Sequence, residues 1–402
     1  MLTSLLPIRD RRDRVVGYAL SACPVNERTG DAASEDDARR LLDGVSRTAR
    51  LAARSVVVPV TPALVRDGAI TRFASTDAVW LLATTALEEE RTRKSVDRLI
   101  AQGFHFALDG YPEGDPLSTA LTGSTIVLDA GRTAPAVLEN RVRVLLAAGL
   151  RPLVRGVDDR AARHRALAAG APLHMGRLLV RASAARIDRT AEESVVRALT
   201  MLAAFADGRA ANAAFDAYVQ DDPNIGASLL RAMSSAAIGV RGPRSVTHAM
   251  TMLGRDAVME QLVSVTARLI GEAAGDHELA FVALRRARLC ERTAAALDAP
   301  PHPRARSVAG LLSVLEFAFG VPAAALPDRI DLPPVLRDTL EHRRQPLGRL
   351  LDVIDALDNG WWDDMRARCA SLGISPAVVS QANVDAWRDA RDELGILRPD
   401  PT

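Results

Sequence analysis

Leu99-Ile100-Ala101-Gln102-Gly103-Phe104-His105-Phe106-Ala107-Leu108-Asp109-Gly110 decides the fold of the first half of this chain. From Leu87 to Gln102 the spacing predicts a helix, with charges on one side and Val96, Leu99 and Ile100 on the other. Gly103 closes it as a left-handed C-cap would. Phe104 to Asp109 then reads as a strand, ended by Gly110. The same order recurs downstream. Thr125 to Asp129 reads as a strand, Ala136 to Ala148 as a helix stopped by Gly149, and Pro152 to Val157 as a strand. Asp159 to Ala169 follows as a helix stopped by Gly170. Upstream, Val15 to Leu20, Ser55 to Val60 and Val79 to Leu82 read as further strands, the valine-rich one suiting a parallel strand buried on both faces. Strand, helix, glycine, strand repeated this way predicts a (β/α) barrel whose strand ends face a common site.

Around Ser183 to Thr190 the pattern changes, and from Glu192 onward no strand is expected. Helices are expected over Val195 to Phe205, Ala213 to Val219, Ile225 to Met233, Val246 to Leu253, Ala257 to Leu269 and Leu279 to Leu297. Arg304 to Phe319, Pro334 to Glu341, Leu347 to Leu357, Trp362 to Leu372 and Pro376 to Leu394 complete an all-α half. The fold class is therefore α/β plus all-α, with a barrel over 1–186 and a helical domain over 191–402. The linker lacks a long Gly/Ser or Pro run, which predicts two halves packed together.

The 402 residues suffice for two cores, and 48% hydrophobic with 25% charged residues is ordinary globular composition. A net charge of +1 gives no global attraction to nucleic acid or an anionic membrane. Lys94 is the one lysine among 51 basic residues, a bias that a GC-rich bacterial genome explains better than phosphate binding does. Cys23, Cys290 and Cys369 are far apart and form no metal or disulfide pattern, so they are expected as small apolar residues in a reducing cytosol. The apolar N-terminal run ends at Arg9 and is too short for a signal peptide or span, and no later run approaches ~20 apolar residues. A cytoplasmic location without membrane contact is expected.

Several short motifs, in order, carry a family resemblance. Pro7-Ile8 with Val15-Val16-Gly17-Tyr18, Phe106 to Tyr111, Ile126 to Asp129, Arg155-Gly156-Val157-Asp158 and Met175-Gly176 follow one another at family spacing. Together they make the first half resemble an EAL domain, the barrel that hydrolyses cyclic di-GMP. The resemblance implies a site of metal-binding carboxylates, one Asn and one Lys, since two-metal hydrolysis by hard cations needs several oxygen ligands. On these positions the signature Glu falls on Ala19, the Asn on Pro59 and the next Glu within Leu82-Ala83. The second of two adjacent Asp is Gly110, the Lys is Val127, the Glu of the "EGVE" motif is Arg155 and the Gln before Gly176 is Met175. Asp109 remains, with Asp129 and Asp158 nearby in the motifs. The barrel is expected to be degenerate, without catalytic residues, metal or cofactor. Asp109, Asp129 and Arg155 are the candidate ligand-binding residues, and Arg9 is a further group that could approach a phosphate.

Asp221 to Arg231, Ser234 to Gly239, Pro243 to Gly254 and Gln345 to Leu351 make the second half resemble an HDOD domain. That family is related to HD phosphohydrolases without their metal ligands; where an HD enzyme has its His-Asp doublet, this chain has Ser313-Val314. The two resemblances imply a non-catalytic bacterial signal-transduction protein acting by protein–protein interaction, in regulation linked to cyclic di-GMP. The alternatives are an effector that binds cyclic di-GMP without hydrolysis, and a residual phosphodiesterase. Other signalling proteins are the expected partners, a homodimer is admitted, and nucleic acid is not expected.

For a partner surface, Trp361-Trp362 and Arg241 are the candidates. Adjacent helical residues point about 100° apart, so one Trp is expected in the core and the other exposed. Gly239 to Gly242 reads as a helix–helix turn. Arg285, Arg286 and Arg288 are expected on a solvated face, and His248 as a packed, hydrogen-bonded helix residue rather than a metal ligand.

Overall fold

The computed structural model describes residues 2–23, 55–72, 78–112, 124–176, 189–206, 223–236, 243–297, 303–320 and 323–395. The chain divides into two compact units. One comprises Met1–Val180 and Ala356–Asp363, the other Arg181–Asp355 and Asp364–Leu397. Trp361 and Trp362 thus cluster with the first unit.

The first unit is a closed barrel in which strands β1 (Leu2–Asp10) to β8 (Leu173–Met175) neighbour one another in chain order. Between them lie β2 (Val15–Cys23), β3 (Ser55–Pro59), β4 (Ala78–Ala83), β5 (His105–Asp109), β6 (Thr125–Asp129) and β7 (Arg151–Arg155). Strands β2 to β8 pair in parallel, while β1 runs antiparallel to both β2 and β8. The reversal comes from the turn between β1 and β2. There the Asp10 carboxylate accepts the backbone N–H groups of Arg12 and Arg14, and Asp13 takes a left-handed φ of 63°.

Helices α1 (Pro62–Arg66), α2 (Glu90–Ala101), α3 (Pro135–Ala147) and α4 (Arg160–Ala168) accompany the strands. Thr61 caps α1 and Asp159 caps α4 through their side-chain oxygens. Inside the barrel, Ile8, Ala19, Val57, Val127, Leu153, Leu173 and Met175 form one apolar cluster, with Val79 and Leu81 against it. This is the side-chain filling that closes a small barrel. Gly176, just past β8, is required by close approach: a Cβ there would lie 1.9 Å from the Val157 carbonyl oxygen.

One expectation about these elements changes, and two strands were not expected at all. The run Leu2–Asp10 is a strand, where the sequence reading had weighed its apolar start only as a targeting signal. β8, three residues long, offers too little pattern to be read. The helix expected from Leu87 begins at Glu90, after a 3-10 turn over Thr84–Glu88.

The second unit is helical, and no strand occurs among its described residues. It contains α5 (Arg189–Ala206), α6 (Pro223–Ala236), α7 (Val246–Leu253), α8 (Arg255–Ala274), α9 (His277–Ala294), α10 (Pro303–Leu312), α11 (Leu315–Phe319), α12 (Pro334–Glu341), the greater part of α13 (Pro346–Asp358), most of α14 (Trp362–Leu372) and α15 (Pro376–Leu394). α8 and α9 are buried along nearly their whole length and form its centre. α10 crosses α9 closely enough that a Cβ on Gly310 would lie 2.5 Å from the Ala287 Cα. The helix expected over Arg304 to Phe319 is broken after Leu312. At the break the Ser313 hydroxyl donates back to the Gly310 carbonyl at 2.7 Å, the local competition that unwinds helices. The expected helix over Ala213 to Val219 and the turn over Gly239 to Gly242 lie outside the described residues.

The arginine triplet of α9 corrects the sequence reading. Arg285, Arg286 and Arg288 are only 2%, 1% and 8% exposed, not a solvated face. Each is buried against its own partners. Arg285 donates to Asn383 Oδ1 at 2.7 Å and stacks over the Trp387 ring. Arg286 donates to Ser313 Oγ at 2.9 Å and pairs with Asp355. Arg288 binds both oxygens of Glu393, each at 2.8 Å. A buried guanidinium is tolerated when polar or charged partners are set against it in this way. Partners lying 27 to 105 residues away are invisible to local pattern.

Candidate functional site

The ends of β5, β6 and β7 bring together the three residues chosen from sequence as a ligand site. Asp109 and Asp129 are the last residues of β5 and β6, and Arg155 is the last of β7. Register places Asp129 opposite Arg155, and Asp109 opposite Val127 one strand further on. Arg155 Nε donates to Asp129 Oδ2 at 3.0 Å and Nη1 donates to Asp109 Oδ2 at 2.8 Å. One guanidinium thus joins two carboxylates across three neighbouring strands. The remaining Asp129 oxygen accepts the N–H groups of Gly131 at 2.9 Å and Arg132 at 3.2 Å. The Thr84 hydroxyl donates to the Gly110 carbonyl at 2.7 Å, fixing the turn after β5.

All three side chains are about one-quarter to one-third exposed, between 25% and 32%. Burial works against the charge on Arg155, but Asp109 and Asp129 outweigh it and hold the guanidinium protonated above its usual range. Around the triad, Ala19, Val57, Val127 and Met175 belong to the apolar filling of the barrel. Asp158 is exposed in the segment after β7, and Arg9 donates to the Asp13 carbonyl at 2.9 Å in the β1–β2 turn. Neither is joined to the triad by a hydrogen bond.

These residues do not fit a divalent cation. Such an ion needs several free oxygen ligands, whereas both carboxylates here face a fixed positive charge. Among the described residues, no group of three or more His, Cys, Asp or Glu side chains could hold a metal. What the arrangement can do is brace three strand ends with a charge-assisted network.

A second cluster escaped the sequence reading. Asp13 pairs with the Arg163 guanidinium of α4, and His174 Nε2 of β8 lies 3.5 Å from Asp13 Oδ1. Burial alone would push the Asp13 carboxyl up. Hydrogen bonds and charge from His174 and Arg163 overcome that and hold it at about 2. No spacing rule links residues 13, 163 and 174; only barrel closure does.

Of the candidate partner residues, Trp361 is 45% exposed and Trp362 is 4% exposed, one out and one in. Gly360, at φ 68°, turns the chain into α14 at this corner. Arg241 lies outside the described residues. His248 is exposed rather than packed; its Nδ1 accepts the Arg244 N–H at 3.2 Å and its own N–H donates to Ser245 Oγ at 3.0 Å, an N-terminal cap of α7. Among the described residues, no helix is long and apolar enough to cross a membrane.

Comparison with known proteins adds a partial match. No protein-family model matches the chain. It is 26% identical over 148 residues to the cyclic di-GMP phosphodiesterase CdgJ of Vibrio cholerae, covering 37% of this chain and 34% of that protein. The chain therefore matches about a third of that curated relative's length. Among solved structures it overlaps Klebsiella pneumoniae BlrP1 in its calcium and cyclic di-GMP complex (TM-score 0.38, 19% identity, 44% of this chain and 54% of that one). It also overlaps the EAL domain of Mycobacterium smegmatis DcpA (TM-score 0.34, 18% identity, 44% and 89%).

Proposed function

We propose that the first unit is an EAL-type barrel without hydrolytic activity, and that the chain is a signal-transduction protein acting through protein–protein contacts in regulation linked to cyclic di-GMP. The observation that carries this reading is the Arg155 guanidinium bound between Asp109 and Asp129. In the resemblance these strand ends would gather metal ligands, and Arg155 stands where a ligand Glu would. A cation cannot share the two carboxylates with a guanidinium 2.8 and 3.0 Å away. The ordered motifs and the partial match to CdgJ support the family; the apolar Ala19, Val127 and Met175 support the loss of chemistry.

On this reading the second unit is HDOD-like and supplies partner contacts together with the Trp361 corner, which clusters with the first unit, and the partners are other signalling proteins or a second copy of the chain. Cofactors play no part. The reading keeps the protein cytoplasmic.

The purified protein is assayed for hydrolysis of cyclic di-GMP with magnesium or manganese. No turnover is expected. Metal-dependent turnover that disappears in Asp109→Ala overturns the proposal. A pull-down from the native bacterium, using the full chain and the Trp361→Ala variant, then tests the partner reading at that corner.

A further inference from the structure

Strands β1 and β2 are longer than the barrel wall. Among the described residues, β2 pairs with β3 at Gly17, Tyr18 and Ala19, and β1 pairs with β8 at Ile8, Arg9 and Asp10. Residues 2–6 of β1 pair instead with residues 19–23 of β2, as a two-stranded ribbon. Because β2 to β8 run parallel, this ribbon leaves the barrel at the end where Asp109, Asp129 and Arg155 stand. A two-stranded ribbon alone is marginal in water. Yet Leu2, Ser4, Leu5 and Leu20 are all buried, so the ribbon is covered.

Side-chain alternation identifies one of the covered faces. Ile8 and Ala19 belong to the apolar filling inside the barrel. Leu6 stands opposite Ala19, and Ser4 stands opposite Ser21, two residues further along each strand. Side chains two apart share a face, so Ser4 and Ser21 lie on the face that continues the barrel interior.

A segment from far along the chain sits there. Ala356–Asp363 clusters with the barrel: residues 356–358 end α13, residues 359–361 turn, and residues 362–363 begin α14. The Ser4 hydroxyl donates to the Asp358 carbonyl at 3.3 Å. Gly360 comes so close that a Cβ on it would lie 2.9 Å from Ser21 Oγ. The turn holds its own shape. The Trp361 N–H donates to the Ala356 carbonyl at 2.9 Å, the Gly360 N–H donates to the Leu357 carbonyl at 3.1 Å, and Gly360 supplies the left-handed φ. On Ser4 and Ser21 the segment thus rests through a carbonyl and a glycine, against two hydroxyls. Such groups exchange a protein partner for water at a small net cost.

We propose that Ala356–Asp363 is a built-in cap: seated on the inward face of the β1–β2 ribbon, it shields the barrel mouth on that side and lifts off by local opening while the barrel stays folded. The cap concerns access to the mouth and is independent of whether the barrel binds or hydrolyses a nucleotide.

The test uses the full chain with Cys23→Ser and Ser21→Cys, which places one thiol beneath the cap. Cys290, fully buried, reports global unfolding in the same molecule. A small thiol reagent is added at rising urea below the unfolding transition, and labelling at each position is followed by peptide mass spectrometry. The thiol at position 21 should label at least about tenfold more slowly than in the unfolded chain, at a rate nearly independent of urea, the mark of local opening. Labelling of Cys290 should rise with urea. Gly360→Val puts a β-branched side chain against Ser21 Oγ on a left-handed backbone. It should speed labelling at position 21 at least about tenfold and leave Cys290 protected. A urea dependence at position 21 that matches Cys290 would make the segment a permanent part of the core and overturns the proposal. So does labelling as fast as in the unfolded chain, or a rate unchanged in folded Gly360→Val. If that variant does not fold, the urea dependence decides alone.

Discussion

Arg155 and Asp109 meet at 2.8 Å although β6 lies between their strands. The guanidinium is long enough to bind Asp129 on the adjacent strand and still reach Asp109 on the next. The contact ties the ends of three strands into one ion-pair network.

The network should be visible in stability. Arg155→Met leaves two half-buried carboxylates without their shared cation, which should cost about 1–2 kcal/mol after solvent screening. Adding Asp109→Asn and Asp129→Asn to the same chain should recover much of the loss, because no unpaired charge then remains. Urea melts of the wild type, Arg155→Met and the triple variant test this. A triple variant no more stable than Arg155→Met would show that the charges are not what is being compensated.

Ligand binding at the barrel mouth should be absent at micromolar cyclic di-GMP. Two phosphates and two guanines require many donors and acceptors, and the one arginine of the triad is already bonded twice. Isothermal titration at low salt is the measurement. A saturable heat of whole-number stoichiometry, lost in Arg155→Met, would show that the ion-pair network opens for the nucleotide.

Acid should weaken the barrel through Asp13. Its carboxyl is held at about 2 in the folded chain, against an ordinary value of 3.8. A depressed folded value means that the contribution is complete above the ordinary value and is lost as pH falls from about 4 through about 2. The size is roughly 2 kcal/mol. Asp13→Asn keeps a side chain that tolerates the left-handed backbone found there, and should flatten the stability-against-pH curve in that window. Identical acid limbs for the two proteins would remove Asp13 from the account.

Two thiols should be silent in the native protein. Burial pushes Cys290 up to about 12 and Cys369 up to about 11, so little thiolate forms at neutral pH. In a Cys23→Ser background, a thiol reagent should react only after denaturant is added. Arg286→Ala should bring that reaction to lower denaturant, since it removes a fully buried group bonded to Ser313 and Asp355, at a cost of about 3–5 kcal/mol. Rapid labelling of the folded background protein would contradict the burial of both cysteines.

Much of the architecture was legible along the chain. Repeated helix, glycine and strand over Leu87 to Gly170 announced the barrel, because hydrophobic period and glycine caps are local properties. Helices Val246–Leu253, Pro334–Glu341, Trp362–Leu372 and Pro376–Leu394 were bounded by sequence alone, where Ser, Pro and Gly mark their ends. The residue types at positions 109, 129 and 155, read beside a family pattern, picked out the barrel mouth. Which of them touch was decided only in three dimensions. Strand register put Arg155 within reach of both Asp109 and Asp129, and barrel closure gathered Asp13, Arg163 and His174. The arginines of α9 show the difference most directly. In sequence a guanidinium reads as a surface charge, because burying one alone is prohibitive. Asn383, Asp355 and Glu393 lie far along the chain, and only folding sets them beside those arginines and makes the burial affordable.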